Sequence, residues 1–264
     1  MKIWHFSDLH LKKEDLGKIG YLGAPPKADV AVILGDLGGD LEENLRWCAT
    51  NIRPRMPVVY VPGNHDFVSK SLLKASADGR RFARTLGIHY LDQDTAVVGG
   101  VRFTGGTFWS DYGVDVNRDG LEGEANVRRN MEAALGKADY KRIFHDERTG
   151  ERLRPWHTAA VHDQTKGFIR RTLATKFDGP TVVLTHYGAL KDCAQPGFEN
   201  SPTHPSYTSD QSAMIEAYKP AMWLHGHIHH FHETMVGETL VACNPLGYDH
   251  ETPGFRRHYV HDLG

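Results

Sequence analysis

Short apolar runs at residues 2–6, 30–34, 58–61, 181–185 and 221–224 each stop at a polar cluster. The clusters read Ser7-Asp8-Leu9-His10, Gly35-Asp36, Pro62-Gly63-Asn64-His65-Asp66, His186, and His225-Gly226-His227-Ile228-His229. Apolar runs of this length bounded by turn residues predict buried strands. Residues 41–52 and 71–86 carry apolar positions at helical spacing, so strands and helices alternate. The alternation predicts an α/β fold with a largely parallel inner arrangement and helices outside it. In such sheets ligands gather at the carboxyl ends of strands, and all five clusters fall at such ends.

The middle of the chain has a different pattern. Residues 88–91, 95–98 and 101–107 predict a strand meander that turns at Gly99-Gly100. Residues 121–177 predict a largely helical insertion, with one helix over 121–135 and another after Pro155, a residue suited to a helix start. The charge-rich stretch 142–154 between them predicts an exposed surface. Residues 233–236, 239–242 and 255–260 predict strands again.

Composition narrows the function classes. The chain has 264 residues, 40% hydrophobic and 24% charged, an ordinary globular balance that excludes a disordered or low-complexity protein. We expect one domain over 1–264. A formal net charge of −2 gives no reason to expect nucleic acid or an acidic membrane as partner. Three scattered cysteines without a CxxC fit a reducing compartment. The first apolar run is broken by His5, Ser7 and Asp8, unlike a signal peptide, and no run approaches the ~18 apolar residues of a membrane span. A cytoplasmic location is the expectation.

Seventeen histidines are the one compositional oddity, and their placement matters more than their number. Collected at the five predicted strand ends are Asp8, His10, Asp36, Asn64, His65, His186, His227 and His229. Carboxylate, imidazole and amide oxygen form the donor set of Mn, Fe, Co or Zn. Asp36, behind Gly35, is the natural carboxylate to bridge two metals, and Gly35, Gly63 and Gly226 allow close backbone approach.

Asp8-x-His10, Gly35-Asp36, Gly63-Asn64-His65-Asp66, His186 and Gly226-His227-x-His229 resemble, in order, the five motifs of calcineurin-like metallophosphoesterases. Any one of these motifs is weak; five in order, each after a strand-like run, are specific. The resemblance implies a four-layer α/β/β/α sandwich of two mixed β-sheets with outer helices. It implies two divalent or trivalent metal ions, with Mn, Fe or Zn expected. One ion would be held by Asp8, His10, Asp36 and His229, the other by Asp36, Asn64, His186 and His227. It further implies hydrolysis of a small phosphoester by a hydroxide held between the metals. His65 would protonate the leaving oxygen or stabilise the transition state, with Asp66 orienting its ring.

Phosphodiesters are favoured over monoesters, because His65 can assist a poor alkoxide and no concentrated arginine clamp for a dianion is evident. The alternatives are a phosphomonoesterase or nucleotidase, and a non-catalytic scaffold, which would be expected to lose ligands or His65. A nuclease would favour a basic groove. Trp109 and Tyr112, in a mixed aromatic and polar stretch, and His204, in the irregular stretch 195–210, are expected to line the leaving-group side. His5, His89, His157, His162, His225, His230 and His258 are read as packing, surface or supporting residues.

Overall fold

The computed structural model describes residues 1–12, 22–114, 123–251 and 253–264. Its elements, in chain order, are β1 (Lys2–Phe6), β2 (Val30–Ile33), α1 (Leu41–Asn51), β3 (Val58–Tyr60), α2 (Leu72–Thr85), β4 (His89–Tyr90), β5 (Asp94–Val98) and β6 (Val101–Gly106). There follow α3 (Gly123–Ala134), α4 (Ala138–Arg142), β7 (Phe144–Asp146), β8 (Glu151–Arg152), α5 (Pro155–Ala174), β9 (Thr181–Thr185) and α6 (Ser212–Tyr218). The last are β10 (Met222–His225), β11 (His232–Val236), β12 (Thr239–Cys243) and β13 (Val260–Asp262).

Two mixed sheets result, ordered β13-β1-β2-β3-β4 and β11-β12-β10-β9-β6-β5. The first is parallel except where β13 runs against β1. The second has a parallel centre with antiparallel β5 and β11 at its edges.

Strand side chains alternate faces, and here both faces are buried, which is why the strands read as unbroken apolar runs. Trp4, Phe6, Ala31, Ile33 and Tyr60 pack against Leu41, Leu45 and Trp47 of α1 and Ala83 of α2. Their neighbours Ile3, Val30, Val32 and Val59 face Phe103, Val182, Leu184 and Leu224 of the other sheet. On the far side Val183, Trp223 and Val241 meet Ile169 of α5 and Ile215 of α6. The layers are therefore α/β/β/α. Helix α1 starts at a reciprocal cap: Asp40 accepts from the Glu43 N–H, and Glu43 accepts from the Asp40 N–H.

The architecture departs from the sequence pattern in three places. The 88–107 stretch is not one meander. Its first strand, β4, returns through α2 to lie parallel to β3, while β5 and β6 form a hairpin in the second sheet. The local alternation is the same in either sheet, so periodicity could not place the crossing. Second, α5 is the outer layer over the second sheet, so only α3, α4 and the β7–β8 hairpin stand apart as added structure. The first two residues of the helix expected at 121–135 lie outside the described residues. Third, the last strand is confined to Val260–Asp262. Among the described residues no helix is long and apolar enough to cross a membrane.

Candidate metal centre

The carboxyl ends of β1, β2, β3, β9 and β10 meet along one edge, bringing the five polar clusters together. The backbone there is unusual. Asp8, His10, Asp36, His227 and His229 all have positive φ, between 43° and 67°. For residues with a Cβ the left-handed region costs roughly 1–2 kcal/mol each. Such strain persists only where surroundings enforce it, and it is concentrated here on side chains of metal-ligand type. It turns each side chain out of its strand direction and over the sheet edge. Neighbouring glycines leave room: a Cβ on Gly63 would lie 2.1 Å from Asp36 Oδ1, and one on Gly226 would lie 2.8 Å from Asp8 Oδ2.

Around Asp8 the ring nitrogens converge. His10 Nε2 and His229 Nε2 are 3.0 Å apart, and lie 3.9 and 3.5 Å from Asp8 Oδ1. Around Asp36, His186 Nε2 lies 3.4 Å from Asp36 Oδ2 and 3.0 Å from Asn64 Oδ1. Ligand atoms of Asp8, His10 and His229 fall within 4.8 Å of one another, as do those of Asp36, His186 and His227.

Backbone and side-chain contacts hold these groups in orientation. The His227 N–H donates to Asp8 Oδ2 at 2.8 Å, and the His65 N–H to Asp36 Oδ1 at 2.9 Å. His186 Nδ1 faces the Leu34 carbonyl at 2.6 Å, which makes Nδ1 the protonated nitrogen and leaves Nε2 able to ligate. His229 Nδ1 faces Glu251 Oε2 at 2.7 Å. Asn64 Nδ2 donates to Asp139 Oδ1 at 2.8 Å, so its amide oxygen points the other way, toward His186.

Charge is tightly packed. Burial alone would raise the Asp36 carboxyl, but His186, His65 and His10 hold it well below the usual carboxylate range. Burial likewise opposes ionisation of Asp8, yet His229 and His186 keep it low. The same attraction overcomes burial at His186, raised to about 9 by Asp36 and Asp8, and at His229, raised to about 9 by Asp8 and Glu251. Burial pulls His10 down to about 4 and, with Lys137 nearby, puts His227 far below its ordinary value.

Among the seven convergent donor residues, two buried atoms have no hydrogen-bond partner: Asp8 Oδ1 and His227 Nε2. Leaving such acceptors unpaired costs ~1–3 kcal/mol apiece, unless a cation takes them. With two carboxylates, an amide oxygen and four imidazoles converging, the residues fit metal ions of intermediate hardness.

The other expected site residues are divided. His65 and His204 line the same cavity as Asp36, Asn64, His227 and His229. His204 Nδ1 faces the Glu199 carbonyl at 3.1 Å, leaving Nε2 as an acceptor that is buried without a partner. Asp66 does not orient the His65 ring. Its carboxylate accepts instead from Asn44 Nδ2 at 2.6 Å, Tyr60 Oη at 2.9 Å and the Gly63 N–H at 2.7 Å. It anchors the loop beneath the ligands, and burial followed by Asp36 raises its pKa to about 6.

Trp109 and Tyr112 do not face the cavity either. Each is 1% exposed, packed with Phe67, Leu72, Ala134 and Tyr187, and the Tyr112 hydroxyl bonds to those of Tyr140 and Thr158. Their polar neighbours suggested a surface loop, but the aromatic mass fills the space between the added helices and the sheet. Sequence reasoning also missed Lys137, Asp139 and Arg142, which reach the cavity from α4 and its start. The only signal for them was a run of charge inside a helical stretch.

A profile of calcineurin-like phosphoesterases matches residues 1–231. The chain belongs to that family. Members of this calcineurin-like family are metal-dependent phosphoester hydrolases with dinuclear centres, in keeping with the convergent donors described above. An uncharacterized protein of Acanthamoeba polyphaga mimivirus, L509, is 22% identical over 285 residues, covering 98% of this chain and 95% of its own length. The crystal structure of phosphopantetheinyl hydrolase from Mycobacterium tuberculosis shares the fold, with TM-score 0.71 and 17% identity over 94% of this chain and 89% of that one.

Proposed function

We propose that this calcineurin-like phosphoesterase hydrolyses a small phosphodiester, with Asp8, His10, Asp36 and His229 holding one metal ion and Asp36, Asn64, His186 and His227 the other. The observation that carries the reading is one cavity of about 430 Å³ that contains members of both ligand groups together with His65. That volume suits a small molecule. When bound, such a metal pair supplies Lewis-acid charge at the phosphoryl oxygens and lowers the pKa of water.

The protein's own part is positioning and proton supply. Asp36 fixes the His65 backbone, and the His65 ring meets the edge of His10 at 5.0 Å and 72°. Standing beside the ligands rather than among those assigned to them, His65 can hold a proton for the departing oxygen. An alkoxide leaves poorly without one, and general acid help is typically worth ~10²–10⁴-fold. The cationic side chains Lys137 and Arg142 in the same cavity favour a second reading, a phosphomonoesterase that takes a dianion.

Hydrolysis of bis(p-nitrophenyl) phosphate beside p-nitrophenyl phosphate, on metal-stripped protein resupplied with Mn, Fe, Zn, Co or Mg, separates the two. Preference for the diester is the expected result, and a His65→Ala protein should retain two ions but lose ~10²-fold or more in kcat on a dialkyl phosphate, whose alkoxide needs a proton, and far less on the p-nitrophenyl diester. Monoester preference selects the second reading, and full turnover of the dialkyl phosphate by His65→Ala removes His65 from the reaction.

A further inference from the structure

One wall of the cavity is cationic, and the metal ligands do not account for it. Lys137 Nζ lies 3.6 Å from the centroid of the Tyr207 ring, and Tyr207 stacks in turn on His227 at 4.9 Å and 28°. The ammonium thus joins the ligand shell through an aromatic ring rather than by direct contact. Its oxygen partners are distant: the Ser206 carbonyl at 3.4 Å and Asp139 Oδ2 at 3.9 Å, with the other Asp139 oxygen committed to Asn64. A lysine ammonium carries three donors, and burial without a close counter-ion is costly. Burial accordingly draws the Lys137 pKa down to about 8, against the pull of Asp139. Arg142 lines the same cavity, is exposed, and meets no acidic side chain among the described residues. Across from them, the ligand side carries Asp36 and Glu251.

We infer that Lys137 and Arg142 form an anion subsite beside the ligand shell, for a second negatively charged group on the substrate distinct from the scissile phosphate. This rests on the phosphodiester reading and narrows it: the substrate is a small diester with a carboxylate or further phosphate on one arm. A neutral arm leaves the Lys137 ammonium buried and poorly paired, whereas an anionic arm completes its coordination and that of the Arg142 guanidinium.

Two p-nitrophenyl diesters that differ only at the end of the second arm, 2-carboxyethyl and propyl, test the inference. The carboxyethyl ester is expected to show about tenfold higher kcat/KM on the metal-loaded protein, the scale of one charge-assisted hydrogen bond. Lys137→Met should collapse that ratio toward one, and Lys137→Arg should keep most of it. Calorimetric titration of the non-hydrolysable phosphonate analogues of both esters onto metal-loaded protein reads the same preference as a ratio of Kd values, without turnover. No preference in wild type would overturn the subsite, and equal losses on both esters in Lys137→Met would overturn it and place Lys137 on the scissile phosphoryl group instead. Turnover of the propyl ester tests the diesterase reading separately: if it fails while the Kd ratio stands, the subsite survives and the reaction does not.

Discussion

Replacing Gly63 by alanine adds one methyl group at the most crowded point of the centre. Gly63 is outside the left-handed region, so its backbone accepts alanine without strain and the effect is steric. The new carbon would stand 2.1 Å from Asp36 Oδ1, 2.7 Å from Asp36 Cγ and 2.7 Å from His186 Cε1. Ordinary contact begins near 3.4 Å, so Asp36 and His186 must recede by about 1 Å. Asp36 cannot do so freely, because the His65 N–H holds Oδ1 and His186 faces Oδ2.

Overpacking of this kind costs ~1–3 kcal/mol of stability, and a displacement of ~1 Å at reacting groups costs ~10²-fold in rate. Since Asp36 is assigned to both ions, both should weaken together. Metal stoichiometry by mass spectrometry of the dialysed protein and kcat/KM on bis(p-nitrophenyl) phosphate are the readouts. Gly136→Ala, where nothing lies within 4 Å of the added carbon, is the matched control and should bind two ions as before. A Gly63→Ala protein with two tightly held ions and wild-type turnover would refute the assignment of Asp36 as the shared ligand.

Asp139→Ala should release the Asn64 amide and lower affinity for the ion assigned to Asn64 by ~10–100-fold, with the other ion much less affected; equal loss of both would contradict the split. Proton linkage gives another test. In the metal-free protein His186 and His229 have folded pKa values of about 9, above the ordinary 6.5. Their stabilising contribution is therefore complete below about 6.5 and disappears as the pH rises through about 9. Because ligation needs the same nitrogens unprotonated, metal affinity should climb over that interval with release of protons. Apo Tm against pH, and calorimetry in buffers of different ionisation heat, measure both; a flat apo Tm from pH 6.5 to 9 would contradict the linkage.

The convergence of the donor residues was legible because their clusters follow on short apolar runs whose boundaries survive in the linear sequence. Asp8, Asp36, His186 and His227 needed only the rule that such clusters gather at one sheet edge. Residues that reach the site from outside this scheme left no comparable mark. Lys137 and Asp139 sit at the start of a five-residue helix, and no periodicity says that it leans over the centre. Asp66 was adjacent to His65 in sequence, but its direction is decided by Tyr60 and Asn44, contributed by β3 and α1. Trp109 and Tyr112 show the opposite error: aromatic residues beside Ser110 and Asp111 read as a recognition loop, yet burying two large rings outweighs exposing them to a substrate. In the fold, a two-residue strand such as β4 carries too little pattern to declare its sheet.

The division of the convergent donors between the sheets has a mechanical side. Asp8, His10, Asp36 and Asn64 come from the ends of the first sheet's strands, His186, His227 and His229 from those of the second. The apolar interface of Ile3, Val30, Val32, Phe103 and Leu184 resists separation of the layers but has little preference for their lateral position. Polar contacts across the edge, such as the His227 N–H on Asp8 and the His186 ring on the Leu34 carbonyl, have direction and supply that preference. A slide of one layer over the other by the length of a hydrogen bond would break each of them and pull the gathered donors apart. The edge that gathers the donors is thus also a shear pin, and the register of two β-sheets is held where charge is most concentrated.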